Sequence, residues 1–154
     1  MLKNAFWVLF ISMLPVVELR GAIPAGAALG MPWLESYLIS VIGNFLPVPF
    51  ILLFIRQILH LMKKVKHLDR IALWLEEKAH KKSADVLKYA SLGLFVFVAL
   101  PLPGTGAWTG SLIAALLDMR MKYALPSIFA GVITAGFLVT GATYGFLGFL
   151  DFIL

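Results

Sequence analysis

The sequence predicts an all-α integral membrane protein. It reads as two inverted repeats, each a re-entrant helical hairpin followed by one transmembrane helix, joined by a cytoplasmic amphipathic linker. Three observations carry this prediction. The 154-residue chain is 61% hydrophobic, with a mean hydropathy of +0.94, whereas soluble domains are roughly 45–50% apolar. Its uncharged stretches fall twice in the order short, break, short, long. Eleven of its 13 Lys and Arg residues gather on one side of such a topology, the asymmetry that orients membrane proteins.

The elements follow in order. Residues 4–17 and 21–34 are uncharged, fourteen residues each, and a spanning helix needs about twenty. Glu18 and Arg20 stand in the break between them. Two short helices can enter and leave on one side, since broken backbone at membrane depth is tolerated where protein or water surrounds it. Residues 36–55 are uncharged and long enough to cross. Asn44 lies in that span and either lines a cavity or bonds a carbonyl freed by Pro47 or Pro49, the second slightly preferred. Residues 56–88 hold most of the charge. There Val65, Leu68, Ile71, Ala72, Leu75 and Ala79 keep helical spacing, with Lys66, Arg70, Glu77 and Lys81 elsewhere around the helix. Such a basic amphipathic helix either lies on an anionic leaflet or packs on the domain's own end. Residues 89–117 are uncharged but cut at Pro101, Pro103, Gly104 and Gly106, and 123–150 form a second full span.

The chain therefore reads as one membrane domain, 1–154, with repeat one at 3–62, the linker at 63–88 and repeat two at 89–154. An offset of 86 sets Leu14-Pro15 on Leu100-Pro101 and Tyr37 on Tyr123. Only four of the 24 positions from 14 to 37 then match, so the order of segments carries the repeat more than residue identity does. One crossing after each hairpin inverts the halves, as in secondary transporters. That arrangement sets eleven cations against Lys3, with Arg20 inside the membrane. Four ordinary helices, with 5–30 and 90–117 each crossing, would set ten against two. Both place the linker in the cytoplasm, and the re-entrant one places the termini outside. Lys3 and its apolar run resemble a signal peptide, but Glu18 and Arg20 stand where cleavage needs small neutral residues.

Ionisable groups at membrane depth are costly and point to function. Two residues apart, Glu18 and Arg20 do not share a helix face, yet at a hairpin tip both can enter one cavity. Arg20 offers a planar fork suited to phosphate or carboxylate. A carboxylate held between dry surroundings and a neighbouring cation can load and release a proton. The structural alternative has Glu18 accepting from free N–H groups of a helix starting near Ala22, and Arg20 binding carbonyls that close the preceding helix. The second break, "PLPGTGAWTG" at 101–110, is neutral. Gly104, Gly106 and Gly110 permit tight turns and close approach, Thr105 and Thr109 add hydroxyls, and a Gly-rich turn opening a helix presents N–H groups to an anion. Trp108 stacks on a ligand or fills space. The Gly141/Gly145 spacing allows close helix approach, internal or across a dimer. A small domain has little protein to bury two breaks, so a homodimer is expected.

Enzymatic constellations are missing. The histidines are His60, His67 and His80, at or within the linker, and there is no cysteine. The sequence thus offers no Ser–His pair, thiol nucleophile or metal-ligand cluster. No catalytic residue, cofactor, metal or nucleic-acid partner is expected.

"ELRGAIP" at 18–24 and "PLPGTGAWTG" at 101–110 together resemble the paired signatures of the bacterial and archaeal small multidrug export proteins, and the similarity covers nearly the whole chain. More distantly, the chain resembles the DedA-type (VTT-domain) membrane proteins. The first name implies drug efflux. The second likeness implies inverted re-entrant hairpins, proton-linked transport in a prokaryotic plasma membrane, and handling of lipids such as anionic polyprenyl phosphates. Carried over by motif, the site takes Glu18, Arg20, Gly21 and Pro24 from the first hairpin. The second hairpin supplies Pro101, Pro103, Gly104, Thr105, Gly106 and Trp108. DedA-type proteins typically place arginine in the second hairpin. Here that tip is neutral, leaving Arg20 with backbone N–H groups rather than a second arginine. The expected function is a small secondary transporter or flippase for an amphipathic substrate with an anionic head, proton-coupled through Glu18. The alternatives are an exporter of cationic lipophilic drugs, with Glu18 as counter-ion, and a non-transporting membrane scaffold. The expected partners are membrane lipid, the substrate, protons and a second copy of the chain.

Overall fold

A computed structural model describes residues 2–63, 84–102 and 104–153. The linker helix expected over 63–88 lies outside the described residues for 64–83, as does Pro103. The described residues form seven helices and no strand: α1 (Leu2–Met13), α2 (Glu18–Ala28), α3 (Trp33–Phe45), α4 (Val48–Lys63), α5 (Ala84–Ala99), α6 (Ala107–Leu116) and α7 (Met121–Ile153).

Proline places the first stops. Pro15 and Pro101 each follow a leucine that the proline ring disfavours from continuing a helix, and α1 and α5 end at Met13 and Ala99 just before them. The second short helices end alike. Gly30 (φ 71°) and Asp118 (φ 50°) adopt the left-handed conformation. Met31 N–H then donates to Gly26 O at 3.0 Å, and Met119 N–H to Ala114 O at 2.9 Å, the six-to-one bond of a Schellman cap. These caps are 88 residues apart, not 86. Between the leucine–proline pair and the cap the second half is longer by two residues, so Tyr37 and Tyr123 are not equivalent. Tyr37 is buried with its ring 4.8 Å from that of Phe137, whereas Tyr123 is exposed with Lys122 Nζ 5.0 Å above its ring.

Two apolar runs are long enough to cross a membrane, Trp33–Ile58 and Met121–Phe146, 26 residues each. At 1.5 Å per residue each reaches about 39 Å, against a hydrocarbon core of about 30 Å. The first run covers the span expected over 36–55. It is α3 and α4 with a turn at Leu46-Pro47, because Pro47 and Pro49 remove the donors that Gly43 and Phe45 carbonyls would use. By the same rise α1, α2 and α6 reach only about 15–18 Å. α5 begins at Ala84, ahead of the apolar edge at residue 89, since Asp85 and Lys88 do not break a helix.

The helices interlock across the two halves. α1 packs on α2 and α3, and α5 packs on α7. α2 lies against α7 of the second half, while α6 lies against α4 of the first. Leu19 and Ile23 of α2 share a core with Leu52 of α4, Val98 of α5, Ala114 of α6 and Ile128 and Val132 of α7. Small residues bring the backbones close. A Cβ on Gly26 would stand 2.9 Å from Ser36 Cβ, and one on Gly43 would stand 2.7 Å from Leu9 O. Beside this apolar core Ser12, Ser36, Ser40, Asn44 and Ser111 are also inside, while Phe6, Phe50, Phe54, Phe137 and Phe146 are exposed. A hydrocarbon solvent accounts for this, since apolar rings cost nothing against lipid and polar groups must find partners inside.

Candidate functional site

The two breaks meet. Glu18 opens α2 with φ 51°, a left-handed conformation that costs a non-glycine residue about 1–2 kcal/mol. The spacing rule that separates i from i+2 on a helix does not apply to a residue outside the right-handed frame. Its carboxylate instead comes within 3.7 Å of Arg20 Nη1. From there the carboxylate reaches the second break. Glu18 Oε1 accepts from the Trp108 backbone N–H at 3.1 Å, and the Ala107 N–H and the Asn44 side chain also act on the charge. Glu18 thus caps α6, whose N-terminus carries free N–H groups and the positive end of the helix dipole. It does not cap a helix starting near Ala22, because α2 already begins at Glu18.

Gly106 makes this contact possible. Its φ of 137° and ψ of −171° belong to a region essentially reserved for glycine. A Cβ there would stand 2.7 Å from Glu18 Cδ and 2.8 Å from Oε1, closer still to Oε2. Glu18 therefore rests directly on the Gly106 backbone.

Arg20 serves the other end of the second break. It donates to the Leu100 carbonyl at 2.9 Å, to Thr105 Oγ1 at 2.8 Å and to the Thr105 carbonyl. Leu100 follows the end of α5, so Arg20 closes that helix rather than α1. Thr105 Oγ1 donates in turn to the Leu100 and Leu102 carbonyls. The exchange is reciprocal, since the Trp108 indole N–H donates to the Met13 carbonyl at the end of α1 at 3.1 Å. Charge from the first break and an indole from the second satisfy the helix ends that the breaks expose.

Of the residues expected from the sequence, Glu18, Arg20, Asn44, Thr105, Gly106 and Trp108 converge. Asn44 is buried and turned to Glu18, so the preferred bond to a proline-freed carbonyl is not formed, and its Oδ1 has no hydrogen-bond partner. Pro101 and Gly104 shape the turn, Gly104 with φ 81° and open space around it. Gly21 packs on Val17, and Pro24 is exposed on the far side of α2. Thr109 is partly buried one turn into α6. Sequence reasoning missed the backbone partners at Met13, Leu100 and Ala107, which carry no side-chain signal. It also missed a shallow apolar groove of about 560 Å³ lined by Met13, Trp108 and the α4 side chains Phe50, Phe54 and Gln57. Among the described residues no group of three or more His, Asp or Glu side chains is placed to hold a metal.

A family model described for small multi-drug export proteins matches residues 18–138, beginning at Glu18 and spanning both breaks. No curated protein and no solved structure matches the chain. With most of its length covered by that model, and with two apolar runs long enough to cross a bilayer, the chain is a membrane protein belonging to the small multi-drug export protein family.

Proposed function

We propose that the chain is a small secondary transporter or flippase. It moves an amphipathic substrate with an anionic head and is proton-coupled through Glu18. One observation carries this reading. The Glu18 carboxylate stands at the N-terminus of α6 as a substrate's anionic head would, beside a groove that suits an apolar tail. Protonation of Glu18 removes the charge that holds it there. The Ala107 and Trp108 N–H groups then become available to a phosphate-like head, which takes the place of the carboxylate beside the Arg20 guanidinium. Loss of the substrate on the far side lets Glu18 ionise and return.

The topology belongs to the same proposal. The two hairpins are re-entrant and the halves inverted, with the linker cytoplasmic and the termini outside in a prokaryotic plasma membrane. The short reach of α1, α2 and α6, the matched Schellman caps and the exchange of α2 and α6 between halves support it. A homodimer is proposed because Gly141 and Gly145 have no described atom within 4 Å of a Cβ added to them, which turns the small-residue face of α7 outward.

A specific observation favours a second reading. Three of the four Arg20 Nη–H donors are spent on Thr105 and Leu100, as in a non-transporting scaffold whose charges only hold two breaks together. The family's name favours a third, export of lipophilic cations with Glu18 as counter-ion. The test is the full chain in liposomes under a pH gradient, given labelled dodecyl phosphate or tetraphenylphosphonium. Uptake of the phosphate, abolished by Glu18→Gln in protein that remains folded, is expected. Uptake of the cation alone would establish the exporter, and no uptake of either would establish the scaffold.

A further inference from the structure

A buried polar row runs along α3 to Glu18. Ser36, Ser40 and Asn44 are spaced by four and so share one face, and all three are at most 1% exposed. α2 runs antiparallel along that face. Gly26 meets Ser36, whose Oγ donates to Ile23 O at 3.2 Å, and Glu18, eight residues before Gly26, meets Asn44, eight residues after Ser36. Ala22 and Ser40, both fully buried, stand midway. Three polar atoms in this row have no hydrogen-bond partner: Ser40 Oγ, Asn44 Oδ1 and Glu18 Oε2. Glu18 itself is 3% exposed.

An unpaired buried polar atom is costly, and one in isolation is tolerable. Two in sequence along one face of α3, met by a third on the Glu18 carboxylate of α2, are the kind of buried polar lining that water ordinarily satisfies. The row starts where α3 starts, at the open ends of the α1–α2 hairpin, and finishes at the tip where Glu18 sits. The other groups acting on the carboxylate are the Arg20 guanidinium, the Trp108 and Ala107 N–H groups of α6 and the Asn44 side chain. Among the described residues, α1 and α7 bring it no charged side chain.

The geometry points to Ser36, Ser40 and Asn44 as a water-holding row through which protons reach Glu18 from the side of the membrane on which α1 begins. This rests on Glu18 being the proton carrier. Water beside Asn44 gives a proton to Glu18 Oε2 and takes one from the next water, so each hand-over restores the row and only Glu18 changes charge. Asn44 Oδ1 then accepts from the protonated carboxyl or its water. The Ser40 hydroxyl accepts from one water and donates to the next.

The absence of cysteine makes the test clean. In the reconstituted full chain, Ser40→Cys should react with 2-aminoethyl methanethiosulfonate added on the α1 side at least tenfold faster than Val41→Cys, which is buried one residue on in the apolar core. The isosteric pair Ser40→Thr and Ser40→Val separates hydroxyl from bulk. Ser40→Val should slow pH-driven dodecyl phosphate uptake at least tenfold relative to Ser40→Thr, with equilibrium binding of dodecyl phosphate unchanged. Should neither fold, the labelling pair decides alone. Equal labelling at 40 and 41, equal uptake by the isosteric pair, or uptake driven by a sodium rather than a proton gradient would each overturn the row. If Glu18→Gln abolishes the pH dependence while these results hold, the row fails and Glu18 stands. If Glu18→Gln remains pH-driven, the coupling itself fails.

Discussion

Gly106→Ala tests the joint between the two breaks, because the structure separates its cost into two parts. The first is backbone strain. At φ 137° and ψ −171° an alanine pays about 1–3 kcal/mol. The second is eviction. The added methyl occupies the space of the Glu18 carboxylate, 2.7 Å from its Cδ, and the carboxylate loses the Trp108 N–H. A hydrogen bond to a charged group contributes about 1.5–3 kcal/mol, so the whole change should cost roughly 2.5–6 kcal/mol. With Glu18→Ala already in place there is nothing to evict, and Gly106→Ala should cost only the strain, about 1–3 kcal/mol. The coupling energy of the double-mutant cycle should therefore be about 1.5–3 kcal/mol, read from equilibrium unfolding in mixed micelles. Gly104→Ala is the control. It shares a positive φ of 81° but has nothing within 4 Å, so its cost should be the same with and without Glu18. Additive costs for Gly106→Ala and Glu18→Ala would refute the capping of α6 by Glu18.

Arg20→Lys keeps the charge but cannot reach Leu100 O, Thr105 O and Thr105 Oγ1 together, and should cost about 2–4 kcal/mol in the same unfolding measurement. Trp108→Phe keeps the ring but leaves the Met13 carbonyl without its donor, and should lower stability by about 1 kcal/mol. A cost within error of zero would remove the indole from the clasp. Single cysteines replacing Leu2 and Lys78 should label from opposite membrane faces, and labelling from one face would restore four plain crossings. The purified chain should run as a dimer in mild detergent and lose dimerisation on Gly141→Leu. A transporting monomer would contradict the assembly.

The sequence by itself determined the class of solvent, the number of apolar runs and the position of both breaks. Those depend on local quantities: the hydropathy of a window, the donor that proline lacks, and the sterics of the residue before it. Leu14-Pro15 and Leu100-Pro101 end their helices where the sequence says they should. The proximity of Glu18 to Arg20 was legible too, since ionised groups in an apolar stretch share whatever polar space exists. Which helix ends they serve was not. Glu18 could have capped its own helix, Arg20 could have closed α1, and Asn44 could have answered a proline. Each of those partners lies nearby in sequence and would satisfy the same side chain. The tertiary structure chose otherwise, because packing α2 on α7 and α6 on α4 brings two breaks nearly ninety residues apart into contact. The left-handed Glu18 and the missing Cβ of Gly106 let a carboxylate reach the second break. Even the two-residue slip that separates Tyr37 from Tyr123 follows from this, since the longer second break is what wraps around the Arg20 fork. Free backbone N–H and C=O groups carry no residue code, so their partners are decided by what the fold brings within 3 Å of them.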